Sequence, residues 1–161
     1  MKKTIITLVL ALMATVMQAD LWSEKDPQPR DFMGCEMGVS TSTQAAATIG
    51  KEGVAHDVDS TSGTITMLKP MYAGMQYDYG MMSFDAQGRL ALVQLYRHVG
   101  NLQDANDVAR ELVKDLERRY NTRLEASGNC YRAQAAGMTI SLALMEDNQD
   151  SWMVGLSFQY Q

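Results

Sequence analysis

The side chains best suited to chemistry are two histidines, two cysteines and a few short acidic groups. His56, Asp57 and Asp59 form the group most like a metal site, because imidazole and carboxylate groups are common metal ligands. On a strand, however, His56 faces one side and the two aspartates face the other, and no EF-hand spacing surrounds them. His98 ends an apolar segment and has no partner recognisable in the sequence. We therefore predict neither a metal site nor a general base at these positions.

The sequence lacks the spacing motifs that commonly mark a catalytic nucleophile. It contains no G-x-S-x-G, S-x-x-K or C-x-x-C segment. The hydroxyl-rich stretches 40–43 and 60–64 are typical of a helix cap and a turn. Acidic pairs such as Glu146 and Asp147 fall in predicted turns, whereas glycosidic chemistry needs two carboxylates held inside a cleft. We predict no catalytic residue and no cofactor; a small hydrolase with a site assembled from scattered residues is the alternative.

Methionine is unusually frequent in this chain. Three of the thirteen methionines lie in the first nineteen residues, and the others are at positions 33, 37, 67, 71, 75, 81, 82, 138, 145 and 153. Thioethers bind Cu(I). Met67, Met71 and Met75 are an even number of positions apart and would face the same side of a continuous strand. However, Met67, Met75, Met82 and Met138 alternate with apolar residues, a pattern typical of core filling. A Met-rich Cu(I)-binding protein is therefore the second alternative.

Residues 1–19 have the features of a secretory signal peptide. Lys2 and Lys3 precede an apolar run at 5–16, and Met17-Gln18-Ala19 forms a cleavage site before Asp20. The run is too short for a membrane span, and a buried N-terminal helix is the less favoured interpretation. We predict removal of residues 1–19 and a periplasmic or secreted location.

The remaining chain is acidic and long enough for one domain. Without residues 1–19 it has 161 − 19 = 142 residues, with 12 basic and 19 acidic side chains and a formal charge of −7. This sign argues against nucleic acid and anionic membrane surfaces as partners. No second apolar run approaches the length of a membrane span. Residues 20–30, with Pro27 and Pro29, predict an extended lead-in, and residues 31–161 a single domain.

Cys35 and Cys130 are the two cysteines of the chain. In an oxidising compartment we predict a disulfide between them. The other interpretation is two separate buried thiols. Their wide separation does not fit a redox-active pair.

Two helices are predicted, and strands fill most of the rest. A long helix at 102–120 carries one apolar stripe, is capped by Asn101 and ends at Asn121. A short helix at 41–50 starts with a capping box of Thr41 and Gln44. Alternating apolar residues predict strands at 32–39, 54–59, 64–68, 71–84 with a bulge at Gly80, 90–97, 122–126, 130–135, 138–144 and 152–160. The fold class is α+β, a mainly antiparallel sheet of about seven to eight strands with both helices on one face.

The predicted strand that begins at residue 71 offers a possible ligand surface. Tyr72, Gly74, Gln76 and Asp78 alternate with its apolar residues and so share a face on a continuous strand. An aromatic ring, a gap and two polar groups can form a shallow recognition surface. Together with the missing catalytic motifs, this predicts an exported, non-enzymatic binding or inhibitory domain. Its partner would be a protein or a small ligand in the cell envelope.

Overall fold

The computed structural model describes residues 30–148 and 151–161. The predicted signal peptide and all but the last residue of the predicted lead-in lie outside the described residues. The first half comprises β1 (Asp31–Phe32), β2 (Cys35–Glu36), α1 (Ser42–Lys51), β3 (His56–Val58), β4 (Ile65–Leu68), β5 (Met71–Tyr72), β6 (Met75–Gln76) and β7 (Tyr79–Phe84). The second half comprises β8 (Leu90–Val99), α2 (Leu102–Tyr120), β9 (Glu125–Ser127), β10 (Cys130–Ala135), β11 (Met138–Asn148) and β12 (Ser151–Tyr160).

Eight strands form one antiparallel sheet in the order β3-β4-β7-β8-β12-β11-β10-β9. The long strands β8, β12 and β11 are neighbours at its centre, and the shortest strands, β3 and β9, form its edges. The pairs β1–β2 and β5–β6 are separate two-stranded hairpins. The predicted α+β fold with a large antiparallel sheet is therefore confirmed.

Helix α2 forms where the sequence carries its apolar stripe. The Oδ1 atom of Asn101 accepts a hydrogen bond from the backbone N–H of Asp104 at 2.9 Å, and Asn121 ends the helix with a left-handed φ of 47°. Both caps satisfy backbone groups that a helix end leaves unpaired. The stripe packs on β12, β11 and β8 and buries Ala105, Ala109, Leu112 and Leu116. Burying a large apolar side chain contributes roughly 1.5–3 kcal/mol, so the sheet stabilises this helix more than its own propensity does.

Helix α1 starts at the predicted capping box. The hydroxyl of Thr41 accepts from the backbone N–H of Gln44, and the Gln44 side chain accepts from the backbone N–H of Thr41. Ala45 and Ile49 of this helix are buried in the same apolar core as the α2 stripe. Both helices therefore cover one face of the sheet, as predicted.

The two faces of the sheet differ in what covers them. Along β12, Val154, Leu156 and Phe158 are buried under the helices, and we call this side the core face. The alternate residues Met153, Gly155, Ser157 and Gln159 point to the opposite side, which we call the outer face. Ser157 is half-buried and Gln159 exposed, so this side faces solvent at the centre of the sheet.

The strand predicted over 71–84 is not continuous. Ala73 and Gly74 have φ values of 53° and 76°, and these two consecutive positive angles form a tight turn between β5 and β6. The chain thus reverses before β7 begins. The alternation of buried residues starts anew in β7, so the expected bulge at Gly80 is not needed to explain it. The strand predicted over 32–39 fails for the same reason, because Met33 and Gly34 form the turn between β1 and β2.

The predicted disulfide is absent, and both cysteines are free thiols. Cys35 is buried on the helix side, where its sulfur lies 3.9 Å from the carbonyl oxygen of Ala45 in α1. Cys130 pairs with Ala143 on β11, whose neighbours Leu142 and Leu144 face the core, so Cys130 belongs to the outer face. The sheet therefore separates the two sulfur atoms, and a disulfide requires Cα atoms within about 7 Å.

Neither helix in the described part of the chain combines the length and apolar character needed to cross a membrane.

Candidate functional site

A pair of stacked tyrosines lies at the centre of the outer face. Tyr79 on β7 is directly opposite Tyr96 on β8, and their ring centroids are 4.7 Å apart with an interplanar angle of 22°. Gly155 on β12 is the next residue across the sheet from Tyr96. A Cβ atom on Gly155 would lie 2.6 Å from Cε of Met145 and 3.3 Å from the Tyr96 ring. The glycine therefore leaves the space in which the Met145 side chain lies beside the tyrosines.

A second row of side chains runs beside the tyrosines. His98 on β8 is opposite Met153 on β12, which is in turn opposite Met145 on β11. We call His98, Met153 and Met145 the outer row. The hydroxyl of Tyr79 donates a hydrogen bond to Sδ of Met153 at 3.3 Å, and the ring centroids of Tyr79 and His98 are 6.2 Å apart. The outer row and the tyrosine pair therefore form one continuous surface.

His98 lies between two carboxylates. Oδ2 of Asp78 accepts from the His98 backbone N–H at 2.6 Å and lies 3.3 Å from Nδ1 of its ring. Oδ2 of Asp147 lies 3.4 Å from Nε2. The register of β11 shifts between residues 146 and 148, and such a bulge re-aims the side chain it contains. The His98 side chain is 45% exposed, so this group is on an open surface and not in a cleft.

This surface combines three kinds of chemical group. Two aromatic rings and two thioethers offer apolar and polarisable contact area, and the Asp–His–Asp group adds charge at one end. Groups of these types can make apolar, polarisable and charged contacts with a ligand.

The residues proposed from the sequence as a ligand surface do not come together. Tyr72 is 4% exposed on the core side, where its hydroxyl lies 3.1 Å from that of Tyr120 and burial raises its pKa. Gln76 is exposed on β6, and Asp78 is at the His98 end of the outer face. The turn at Ala73 and Gly74 breaks the alternation on which that surface depended. Of the predicted set, Asp78 alone belongs to the candidate site.

The side chains of the His56 group make local contacts. Nδ1 of His56 lies 3.0 Å from the carbonyl oxygen of Val54. The Asp59 carboxylate accepts hydrogen bonds from Ser62 and Thr61, which lower its pKa and fix the turn that follows. Across residues 30–148 and 151–161, no three His, Cys, Asp or Glu side chains are arranged to hold a metal ion.

The methionines divide into two groups. Met67, Met82 and Met138 are fully buried, which confirms core filling for these three, whereas Met75 is half-buried; Met37 is fully buried as well. Met67, Met71 and Met75 lie in three different strands and are buried, exposed and half-buried in that order, so they do not share a surface. Sequence reasoning missed Met145 and Met153. The sequence did contain a signal for them. Each alternates with the core residues of its strand, so each faces the same side of the sheet as Ser141 and Ser157.

One open groove lies on the opposite side of the molecule. It has a volume of about 420 Å³ and is lined by Gln103, Asn106, Arg110, Val113, Lys114 and Tyr131, between α2 and β10. Its charged lining residues are two cations, of which Arg110 is 3.1 Å from Asp107. These groups do not include the pair of carboxylates that hydrolysis of a glycoside requires. The groove therefore gives no support to the hydrolase alternative.

The chain matches no protein-family model, and neither a curated protein nor a solved structure is detectably similar to it.

Proposed function

We propose that the protein is an exported, non-enzymatic binding or inhibitory domain that recognises a protein or small ligand in the cell envelope with the outer face of its sheet. The observation that carries the proposal is the stacked pair Tyr79–Tyr96 at the centre of that face. Aromatic rings held on rigid strands supply contact area at low entropic cost, which is why tyrosine is enriched at protein interfaces.

The surroundings of the tyrosines support this proposal. Strands β7, β8, β12 and β11 present Met81, Leu92, Gln94, Ser141, Ala143, Met145, Met153 and Ser157 on the same side, all half-buried. Both described helices pack on the opposite face. Apolar centres with a polar and charged border, here Asp78 and Asp147, are typical of interaction surfaces.

Export is the part of the proposal that depends on residues 1–19. The basic start, the apolar run and the Ala19 position are the features that support it. Intact-mass measurement of natively produced protein tests it. We expect a mature chain beginning at Asp20, and a chain that retains Met1–Ala19 in the cell envelope fraction would contradict export with cleavage.

A matched pair of substitutions tests the binding face. Gln94 lies on the outer face opposite Ser157, whereas Gln103 is exposed on α2. Gln94→Arg and Gln103→Arg introduce the same side chain and the same charge at the two places. Each variant would be used to capture partners from the native envelope, with small ligands of that compartment analysed by mass spectrometry. We expect Gln94→Arg to lose the partner and Gln103→Arg to keep it.

The hydrolase alternative is tested with a substrate panel assayed on the wild-type chain. The binding proposal predicts no turnover above background. Turnover that disappears in His98→Gln would replace the binding proposal with an enzymatic one. Loss of the partner in both Gln94→Arg and Gln103→Arg, or in neither, would show that binding does not use the outer face.

A further inference from the structure

Three donor side chains stand side by side on the outer face. His98, Met153 and Met145 occupy directly opposite positions on β8, β12 and β11. Neighbouring strands are about 4.8 Å apart, and side chains opposite each other on one face meet. Met145 and Met153 are half-buried and His98 is exposed, so a small ion reaches all three without opening the core.

The chemical types of these donors select the ion. Two thioether sulfurs are soft, neutral ligands that suit Cu(I), whereas hard divalent ions such as Mg²⁺ and Ca²⁺ prefer oxygen donors. Imidazole nitrogen completes a set of three donors without adding negative charge. We propose that the outer row is a Cu(I)-binding site formed by Sδ of Met145, Sδ of Met153 and Nε2 of His98. This site is part of the outer face proposed above as the binding surface, but it needs no macromolecular partner.

Asp78 gives the His98 ring the orientation that a ligand needs. Its carboxylate lies 3.3 Å from Nδ1 and also accepts from the His98 backbone N–H. A carboxylate bonded to one ring nitrogen keeps the proton there and leaves the other nitrogen free to bind metal. Asp78 is therefore a positioning residue of the site, and Nε2, which now faces Oδ2 of Asp147 at 3.4 Å, is the nitrogen offered to the ion.

The electrostatics of the site favour a cation. Three neutral ligands leave the positive charge of Cu(I) uncompensated. Oδ2 of Asp147 lies 3.4 Å from Nε2, and Asp78 lies on the other side of the ring. Two carboxylates within a few ångströms of a monovalent cation stabilise it.

The neighbours of the outer row leave the sulfur atoms able to move. Cε of Met145 lies over Gly155, 2.6 Å from where a Cβ atom would be, so Met145 must change rotamer to bring its sulfur to an ion beside Met153. The hydrogen bond from Tyr79 to Sδ of Met153 is weak, because thioether sulfur is a poor acceptor, and the ion can replace it. The adjustment on binding is confined to side chains.

Competition with a coloured Cu(I) chelator such as bicinchoninate, under reducing and oxygen-free conditions, tests the site. The wild-type chain should remove one Cu(I) per molecule from the chelator. The double variant Met145→Leu/Met153→Leu should bind more than about 100-fold more weakly, and Asp78→Asn about 10-fold more weakly through the orientation of His98. The matched control is Met71→Leu/Met75→Leu, which changes two methionines outside the row and should bind as the wild type does.

Cys130 requires its own control, because it lies on the same face and thiolates bind Cu(I) strongly. Cys130→Ser should change the affinity less than threefold if the outer row holds the ion. Affinity that disappears in Cys130→Ser but survives in the Met145→Leu/Met153→Leu variant would overturn the proposal. No transfer of Cu(I) from the chelator to the wild-type chain would also overturn it.

A second measurement uses the unmutated protein and so does not depend on how the variants fold. Ag(I) is a redox-inert substitute for Cu(I) that is compatible with NMR. Adding one equivalent should shift the methyl signals of Met145 and Met153 and the ring signals of His98, and leave those of Met67 and Met82 in the core unchanged. Shifts spread over all methionines, or confined to the cysteines, would contradict the site.

Discussion

Gly80 and Gly155 show how the two sides of the sheet respond to a single added methyl group. A Cβ at Gly80 would lie 2.9 Å from Leu95, 3.0 Å from Met67 and 3.1 Å from Pro70, all on the core side. A Cβ at Gly155 would meet mainly the flexible end of Met145. Both glycines have ordinary strand conformations, so the difference is one of packing and not of backbone strain.

These contacts predict different costs for the same substitution. Gly80→Ala should lower the free energy of unfolding by about 1–3 kcal/mol, because the core side chains around it have no free space. Gly155→Ala should cost less than Gly80→Ala, because Met145 can move toward solvent. Urea unfolding of the two variants measures both values. A larger loss for Gly155→Ala than for Gly80→Ala would contradict the assignment of the core and outer faces.

The two free thiols should react very differently. Cys35 is 1% exposed, and burial, with a smaller effect of the nearby Asp31 carboxylate, raises the pKa of its thiol to about 11. At pH 8 its thiolate fraction is therefore about 100-fold below that of a cysteine with the ordinary pKa of 9.0. A thiol reagent should label half-buried Cys130 in the native protein and Cys35 only after unfolding. Equal labelling rates at Cys35 and Cys130 would contradict their difference in burial. A need for reductant before either is labelled would contradict free thiols.

The Cys35 thiol also makes the free energy of unfolding depend on pH. The unfolded chain releases this proton at a lower pH than the native chain does. The native state therefore binds more protons between about pH 9 and 11, and the free energy of unfolding falls across that range. Cys35→Ala should make the fall smaller.

At the scale of elements, local signals predicted most of the structure. The caps of α2 at Asn101 and Asn121 and the capping box of α1 depend on residues within one helical turn, and all are present. The hairpins at 31–36 and 71–76 were missed because Met33 and Ala73 take positive φ values, which side chains other than glycine rarely adopt. The glycine after each of them was the signal available in the sequence.

The same kind of turn joins β10 to β11 and gives a prediction at this scale. Ala136 has a φ of 52° and is followed by Gly137, whereas Asn-Gly is the preferred pair for such turns. Ala136→Asn should raise the free energy of unfolding by about 1 kcal/mol by relieving left-handed strain. Ala126→Asn is the control, since Ala126 is exposed within β9 and has no positive φ. Thermal unfolding that ranks the control as the more stable variant would contradict this turn.

At the scale of the whole molecule, the candidate site depends on pairings that no local pattern contains. Met153 lies opposite His98 because β12 pairs with β8, and these strands are separated by α2 and three further strands in the chain. The sequence indicated that Met153 faces the outer side, but not which residue would be opposite it. The predicted disulfide failed for the same reason, since the face occupied by each cysteine follows from the assembled sheet.

The division of the molecule into a covered and an uncovered face supports the central proposal. The helices stabilise the sheet from one side, and the tyrosine pair and outer row remain available on the other. Recognition through a rigid strand surface requires little rearrangement on binding. We therefore expect the outer face to keep its conformation when the partner is bound.

Site-specific photo-crosslinking in the native cell tests this account most directly. A photoreactive amino acid would replace Leu92 on the outer face or, as the control, exposed Glu111 on α2. We predict a discrete crosslinked partner from position 92 and none from position 111. A partner captured from position 111 and not from position 92 would contradict the claim that the protein binds through the outer face of its sheet.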